Sequence, residues 1–164
     1  MLEAYDAYYR QFKKTYHVQL QLESVVLKGK PIPRVAALVE AMFMAELDSL
    51  LLTAGHDLDV VQPPVRIEVA SGQESYVRLD GVEQVTKAGD MMIVDTVGIL
   101  SSIVYGPDRR TQIRPETKRA LFTVYGPPGI GAREMAAHLE ELRENVVLIA
   151  PEAEVELEEV FGAS

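Results

Sequence analysis

The sequence predicts an α+β fold with a central, mainly antiparallel sheet, flanked by N-terminal helices and one C-terminal helix. Three observations carry this. The first 52 residues are patterned as helices. Residues 65–125 fall into short, turn-punctuated runs that begin with apolar–polar alternation at 65–69 and 76–79, and a further amphipathic stretch follows at 131–145. The chain has 164 residues, the length of one domain (1–164), and a chain of that size buries roughly 70% of its unfolded surface.

The elements follow in order. Residues 2–16 hold no Gly or Pro, and Tyr5, Tyr8, Tyr9, Phe12 and Tyr16 fall on one helical face, as a core stripe would. A second helix is expected over 20–27, stopped by Lys28-Gly29-Lys30-Pro31. A third runs from 35 into the low fifties, with Leu38, Val39, Met42, Phe43, Leu47, Leu50 and Leu51 on a wide apolar face. Ala54-Gly55-His56 is expected to break that pattern. Strands are then predicted at 65–69, 76–79, 82–85, 91–95, 98–105 and 119–125, with Asp80-Gly81 as a hairpin turn. Residues 131–145 form the last helix. In the tail, 153–160, acids alternate with Val and Leu as in an edge strand with a charged outer face.

Composition removes several function classes. Hydrophobic residues make up 48% and charged residues 25%, which excludes a disordered or collagenous chain. The absence of Cys excludes disulfide scaffolds, thiolate metal sites and cysteine nucleophiles. A net charge of −9 argues against DNA and against nonspecific nucleic-acid binding, which depends on basic residues releasing counterions. The longest apolar stretch, 35–52, is interrupted by Glu40, Glu46 and Asp48, so no membrane span is expected. The first residues lack the basic start and apolar core of a signal peptide, and the expected location is the cytoplasm.

Three local features bear on chemistry. Residues 126–131 have the G-x-x-x-x-G spacing of a phosphate loop, but Ala132 and Arg133 stand where Lys and Ser or Thr are needed, so a rigid turn before a helix is expected. His56-Asp57-Leu58-Asp59 sets an imidazole beside two carboxylates. It is either an acid–base or binding group or a turn in which Asp caps the next element. Arg109, Arg110, Arg114, Lys118 and Arg119 form a basic island in an acidic chain, which would suit a phosphate or carboxylate or a pairing with the acidic tail. No G-x-S-x-G elbow exists, and no metal site or cofactor is expected.

The order of these features resembles the tRNA-editing domain in the beta subunit of phenylalanyl-tRNA synthetase. Val39-Glu40-Ala41 is similar to that family's V-D-x-T-N-Y stretch, and His56-Asp57-Leu58-Asp59 to its H-A-F-D. Leu79-Asp80-Gly81-Val82-Glu83 resembles its L-D-G-x-E turn, and 89–95 a following strand ending in Asp. Residues 111–119 are similar to its S-G-V-x-x-E-T-x-x stretch. The resemblance covers roughly 33–125 and implies a domain that hydrolyses tyrosine wrongly attached to the phenylalanine tRNA, by water attack on an ester. It implies His56 as the catalytic pocket group and Gly106 and Thr111 as substrate-binding positions.

The family's Thr-Asn pair, which helps hold substrate and water, falls on Met42 and Phe43, which makes that wall apolar. Arg109, Arg110 and Arg114 are the positions expected to meet RNA phosphates. The expected partner is tRNA or an aminoacyl-tRNA 3′ end. The alternatives are a non-catalytic module for an amino-acid-like molecule on the same fold and an RNA-binding module without catalysis. The chain is too short to hold the synthetase's aminoacylation module.

Overall fold

The structure, a computed structural model, describes residues 1–31 and 35–161. The chain packs as two compact units, Met1–Thr53 with Val124–Ser164, and Ala54–Thr123.

The first unit is helical: α1 (Leu2–Gln11), α2 (His17–Val26), α3 (Ala37–Ser49) and α4 (Ala132–Ile149). The tyrosine stripe is buried as the sequence predicts, but α1 is shorter than expected. Lys13 takes φ 56, and the N–H of Lys14 turns back to the Tyr9 carbonyl at 3.1 Å. That turn brings the Tyr16 ring flat against Tyr5, with centroids 4.1 Å apart, so this pair meets by chain reversal and not by helical spacing. Buried tyrosine hydroxyls need partners: Tyr5 donates to the Tyr125 carbonyl, Tyr16 to the Leu50 carbonyl, and the Tyr9 hydroxyl lies 2.9 Å from His17 Nδ1. The turn also lets α2 start at His17, three residues before the expected 20.

Helix α3 ends where Leu50 adopts a left-handed conformation, φ 61, and the chain leaves as a strand. Here the structure corrects the sequence. Ala54-Gly55-His56 is not a helix-breaking turn but the interior of β1 (Leu52–Asp57). Leu51 to His56 is a continuous buried run, and such a run has no period by which to tell strand from helix. Helix α4 follows the Pro-Gly turn as expected and runs to Ile149, four residues past the predicted end. The acidic tail is a second correction. Residues 153–160 form no strand, and Val155 and Leu157 are exposed. Its alternation supplies no buried face, and its row of carboxylates repels itself and any acidic neighbour.

The second unit is β-rich. The strands β2 (Arg66–Val69), β5 (Met91–Val94), β6 (Ile99–Ser102) and β7 (Gly106–Pro107) form a four-stranded antiparallel sheet in the order β2-β5-β6-β7. β3 (Ser75–Val77) and β4 (Glu83–Val85) make the expected hairpin, with Gly81 at φ 81, and β1 pairs with β8 (Ala120–Tyr125). The single strand expected over 98–105 is divided, because the Ser102 hydroxyl accepts the Tyr105 N–H at 3.1 Å and turns the chain into β7. One face of the sheet closes over Ala70, Tyr76, Met92, Val94 and Ile99, and each large side chain there contributes ~1.5–3 kcal/mol. No helix among the described residues is long and apolar enough to cross a membrane.

Candidate functional site

Strand β1 carries His56 into the interior of the second unit, where its side chain is fully buried. The segment after β7 supplies its neighbours. Asp108 is fixed by its N–H on the Leu100 carbonyl at 2.7 Å, and the Asp57 N–H reaches the Thr111 carbonyl, also at 2.7 Å. These two bonds set Thr111 Oγ1 2.9 Å from His56 Nδ1. Thr111 Oγ1 in turn donates to Asp108 Oδ1, which also receives the Thr111 N–H at 3.1 Å. The result is a buried relay of imidazole, hydroxyl and carboxylate.

The relay fixes the imidazole tautomer. Thr111 gives its only hydroxyl proton to Asp108, so it accepts from His56, and Nδ1 carries the ring proton. The lone pair is therefore on Nε2, which is buried and has no hydrogen-bond partner among the described residues. Burial, and then the nearby Arg110 charge, lower His56 to about 4 against the opposing pull of Asp95, so the ring is neutral at neutral pH. Burial raises the Asp108 carboxyl, while the Thr111 bonds and Arg110 pull it back.

Arg110 sits between two carboxylates. Its Nη2 lies 3.0 Å from each oxygen of Asp95, and its Nε lies 3.5 Å from Asp108 Oδ2. Burial pushes the Asp95 carboxyl up. The N–H groups of Gln62, Gly98 and Val97, together with Arg110, more than reverse this and hold it below the usual carboxylate range. Beside this ion pair opens a cleft of about 230 Å³ lined by Ser75, Tyr76, Val77, Ile99, Asp108 and Arg110. That is below the ~300 Å³ at which drug-sized pockets begin, and suits a ligand of amino-acid size. Asp108 belongs to both the cleft wall and the relay, whereas His56 lies behind the wall.

The sequence-predicted residues divide accordingly. His56 and Thr111 are in contact, and Gly106 is close by, its carbonyl taking the Tyr76 hydroxyl at 2.7 Å. Arg109 and Arg114 are exposed, but Arg110 has its guanidinium engaged by acids. Met42 and Phe43 lie on α3 in the first unit, where Phe43 is buried among core residues. Asn145, the chain's only asparagine, reaches the Ala41 carbonyl on α3 at 3.4 Å, a proximity hidden by 104 residues of separation. The sequence reading gave Asp95 and Tyr76 no role. The Asp108–Thr111 spacing of three, which suits a side-chain-capped turn, was the available signal for the relay. Among the described residues no cluster of three His, Asp or Glu is placed to hold a metal ion.

The chain belongs to the B3/4 domain family, whose model matches residues 2–146. The match covers the whole of the second unit and the first unit as far as residue 146. Among solved structures, an N-terminal fragment of the phenylalanyl-tRNA synthetase beta-subunit from Pyrococcus horikoshii is similar, with a TM-score of 0.59 and 16% identity over 68% of this chain. The chain spans 40% of that fragment, and the likeness shows the α+β fold. No curated protein matches.

Proposed function

We propose that this protein binds the aminoacylated 3′ end of a tRNA and hydrolyses its ester. The observation that carries the reading is the buried relay of a neutral His56, Thr111 and Asp108, whose carboxylate end lines a cleft of amino-acid size. The amino acid occupies the cleft, with its ammonium against the Asp108 carboxylate on the wall. Water adds through its oxygen to the ester carbonyl carbon, the bond from that carbon to the ribose oxygen breaks, and the proton lost by water ends on the ribose oxygen. His56 acts through the relay, holding Thr111 and through it the Asp108 carboxylate that faces the bound substrate. With its basicity lowered to about 4, it is a positioning group and a poor proton store. Arg109 and Arg114, both exposed, meet the terminal phosphates, and Arg110 stays with Asp95.

The test is deacylation of a panel of mischarged tRNAs, tyrosyl-tRNA for phenylalanine among them, by the parent and by His56→Ala with unchanged circular dichroism. Turnover by the parent that is lost in the variant is expected. Equal turnover by both would remove His56 from the mechanism. A second reading, a non-catalytic amino-acid-binding module, is favoured by the burial of Phe43 at the position of a polar family residue. It predicts no turnover, together with a thermal shift from a free amino acid.

A further inference from the structure

The outer edge of β2 is open and is complementary to itself. β2 ends its sheet, and no described residue pairs with its far side. Every residue from Val65 to Val69 is exposed, with Val65 at 40%, Ile67 at 60% and Val69 at 68%. Three apolar side chains in a row on one face of a bare strand are an exposure that folded proteins usually suppress with Lys, Pro or a covering segment. Residues 65–69 hold no Lys or Pro, and their two charges, Arg66 and Glu68, are of opposite sign and so do not repel a second copy of the strand.

The backbone decides which groups are available. The Ala70 N–H and carbonyl are both used on the β5 side, to Asp90 at 2.8 Å and from Gly89 at 2.8 Å. In the regular register of β2 on β5, Arg66 and Glu68 share that orientation. Val65, Ile67 and Val69 therefore turn their N–H and carbonyl groups outward. A partner strand must bond to those three, which admits only registers that pair odd residues with odd residues.

For an antiparallel second copy, three such registers exist, and charge selects among them. Centring on residue 66 sets Arg66 against its own copy, and centring on residue 68 does the same to Glu68. Centring on Ile67 sets Arg66 opposite the partner's Glu68 twice, and on the other face pairs Val65 with the partner's Val69 and Ile67 with the partner's Ile67. Within one chain Arg66 Nε and Glu68 Oε1 already lie 3.1 Å apart, so a second copy extends that pair into an alternating ladder of four charges.

We propose that two copies of this chain join through β2, antiparallel about a two-fold axis at Ile67, into a continuous eight-stranded sheet. A contact confined to a five-residue edge is at the small end of protein interfaces, so the dimer forms reversibly with concentration.

Sedimentation velocity on the full chain tests this across a wide concentration range. The expected mass climbs from 18.2 kDa towards twice that value. Arg66→Glu places Glu opposite Glu, and Glu68→Arg places Arg opposite Arg. Each raises the dimer dissociation constant by about tenfold or more. The double variant Arg66→Glu/Glu68→Arg restores dimerisation, and an equimolar mixture of the two single variants forms a heterodimer. Ile67→Pro deletes an outward N–H without touching the β2–β5 ladder, and abolishes association while leaving the thermal midpoint close to the parent's. A chain that stays monomeric at every concentration overturns the proposal, as does a dimer indifferent to Arg66→Glu and Ile67→Pro.

Discussion

Replacing Glu46 by Gln should stabilise the protein, and by more as the pH rises. Glu46 lies in the last turn of α3 with 4% of its surface exposed, and its Oε1 takes the Thr53 N–H at 2.8 Å. Burial raises its carboxyl from 4.5 to about 8, against the lowering effect of that N–H. A carboxyl whose folded pKa lies above its unfolded one costs nothing below the unfolded value. The cost starts at 4.5, grows as the unfolded chain ionises while the folded one holds its proton, and is complete above about 8. At ~1.4 kcal/mol per unit, the loss reaches ~3 kcal/mol by pH 7. Gln keeps the acceptor for Thr53 and removes the ionisation. Urea denaturation of parent and variant, measured side by side from pH 4.5 to pH 8, cancels every other titrating group. The advantage of the variant should widen steadily across that window. A gap independent of pH would refute the reasoning, whatever its size.

Three further outcomes follow from the same geometry. His17, His56 and His138 are all held near 4 by burial, so acid loads protons on the unfolded chain first. Stability is lost as pH falls from 6.5 towards 4, and, with Glu46 acting oppositely, the thermal midpoint peaks a little above pH 6.5. Thr111→Val leaves the His56 N–H unpaired and removes one of the bonds to Asp108. It should cost about 1–3 kcal/mol in denaturation and reduce ester hydrolysis, with Thr111→Ser restoring both. Arg109→Ala and Arg114→Ala should each reduce the log–log salt slope of single-stranded RNA binding by ~0.7, while an unchanged slope would place the phosphates elsewhere.

The parts of the fold legible in the sequence were those with a period. The β2 segment and the start of the β3–β4 hairpin alternate, β5 is a short apolar run bounded by turn residues, α3 and α4 carry apolar stripes, and Asp80-Gly81 has the residues its turn requires. β1 was missed because it is buried on both faces and follows directly from an apolar helix. A left-handed Leu50, where Gly would be expected, gave no warning of the change. The tail erred in the other direction, because alternation is necessary for a half-buried strand but does not supply a partner.

The site was legible in its residue types and hidden in its pairings. His56 and Thr111 stood out through the resemblance, yet nothing in a linear sequence says that Arg110 meets Asp95 while Arg109 and Arg114 do not. Three arginines in six positions look equivalent until the fold distributes the acids. Asp95 is presented to Arg110 by the turn after β5, where the N–H groups of Val97 and Gly98 fix its carboxylate. A carboxylate so tightly held strips Arg110 of its use for phosphate and makes it part of the wall that keeps Asp108, Thr111 and His56 in line. Arg110→Lys distinguishes these roles. A phosphate contact tolerates Lys, whereas a fork bridging two carboxylates does not. The variant should therefore lose hydrolysis with little change in RNA affinity. The opposite pattern would return Arg110 to the nucleic-acid surface.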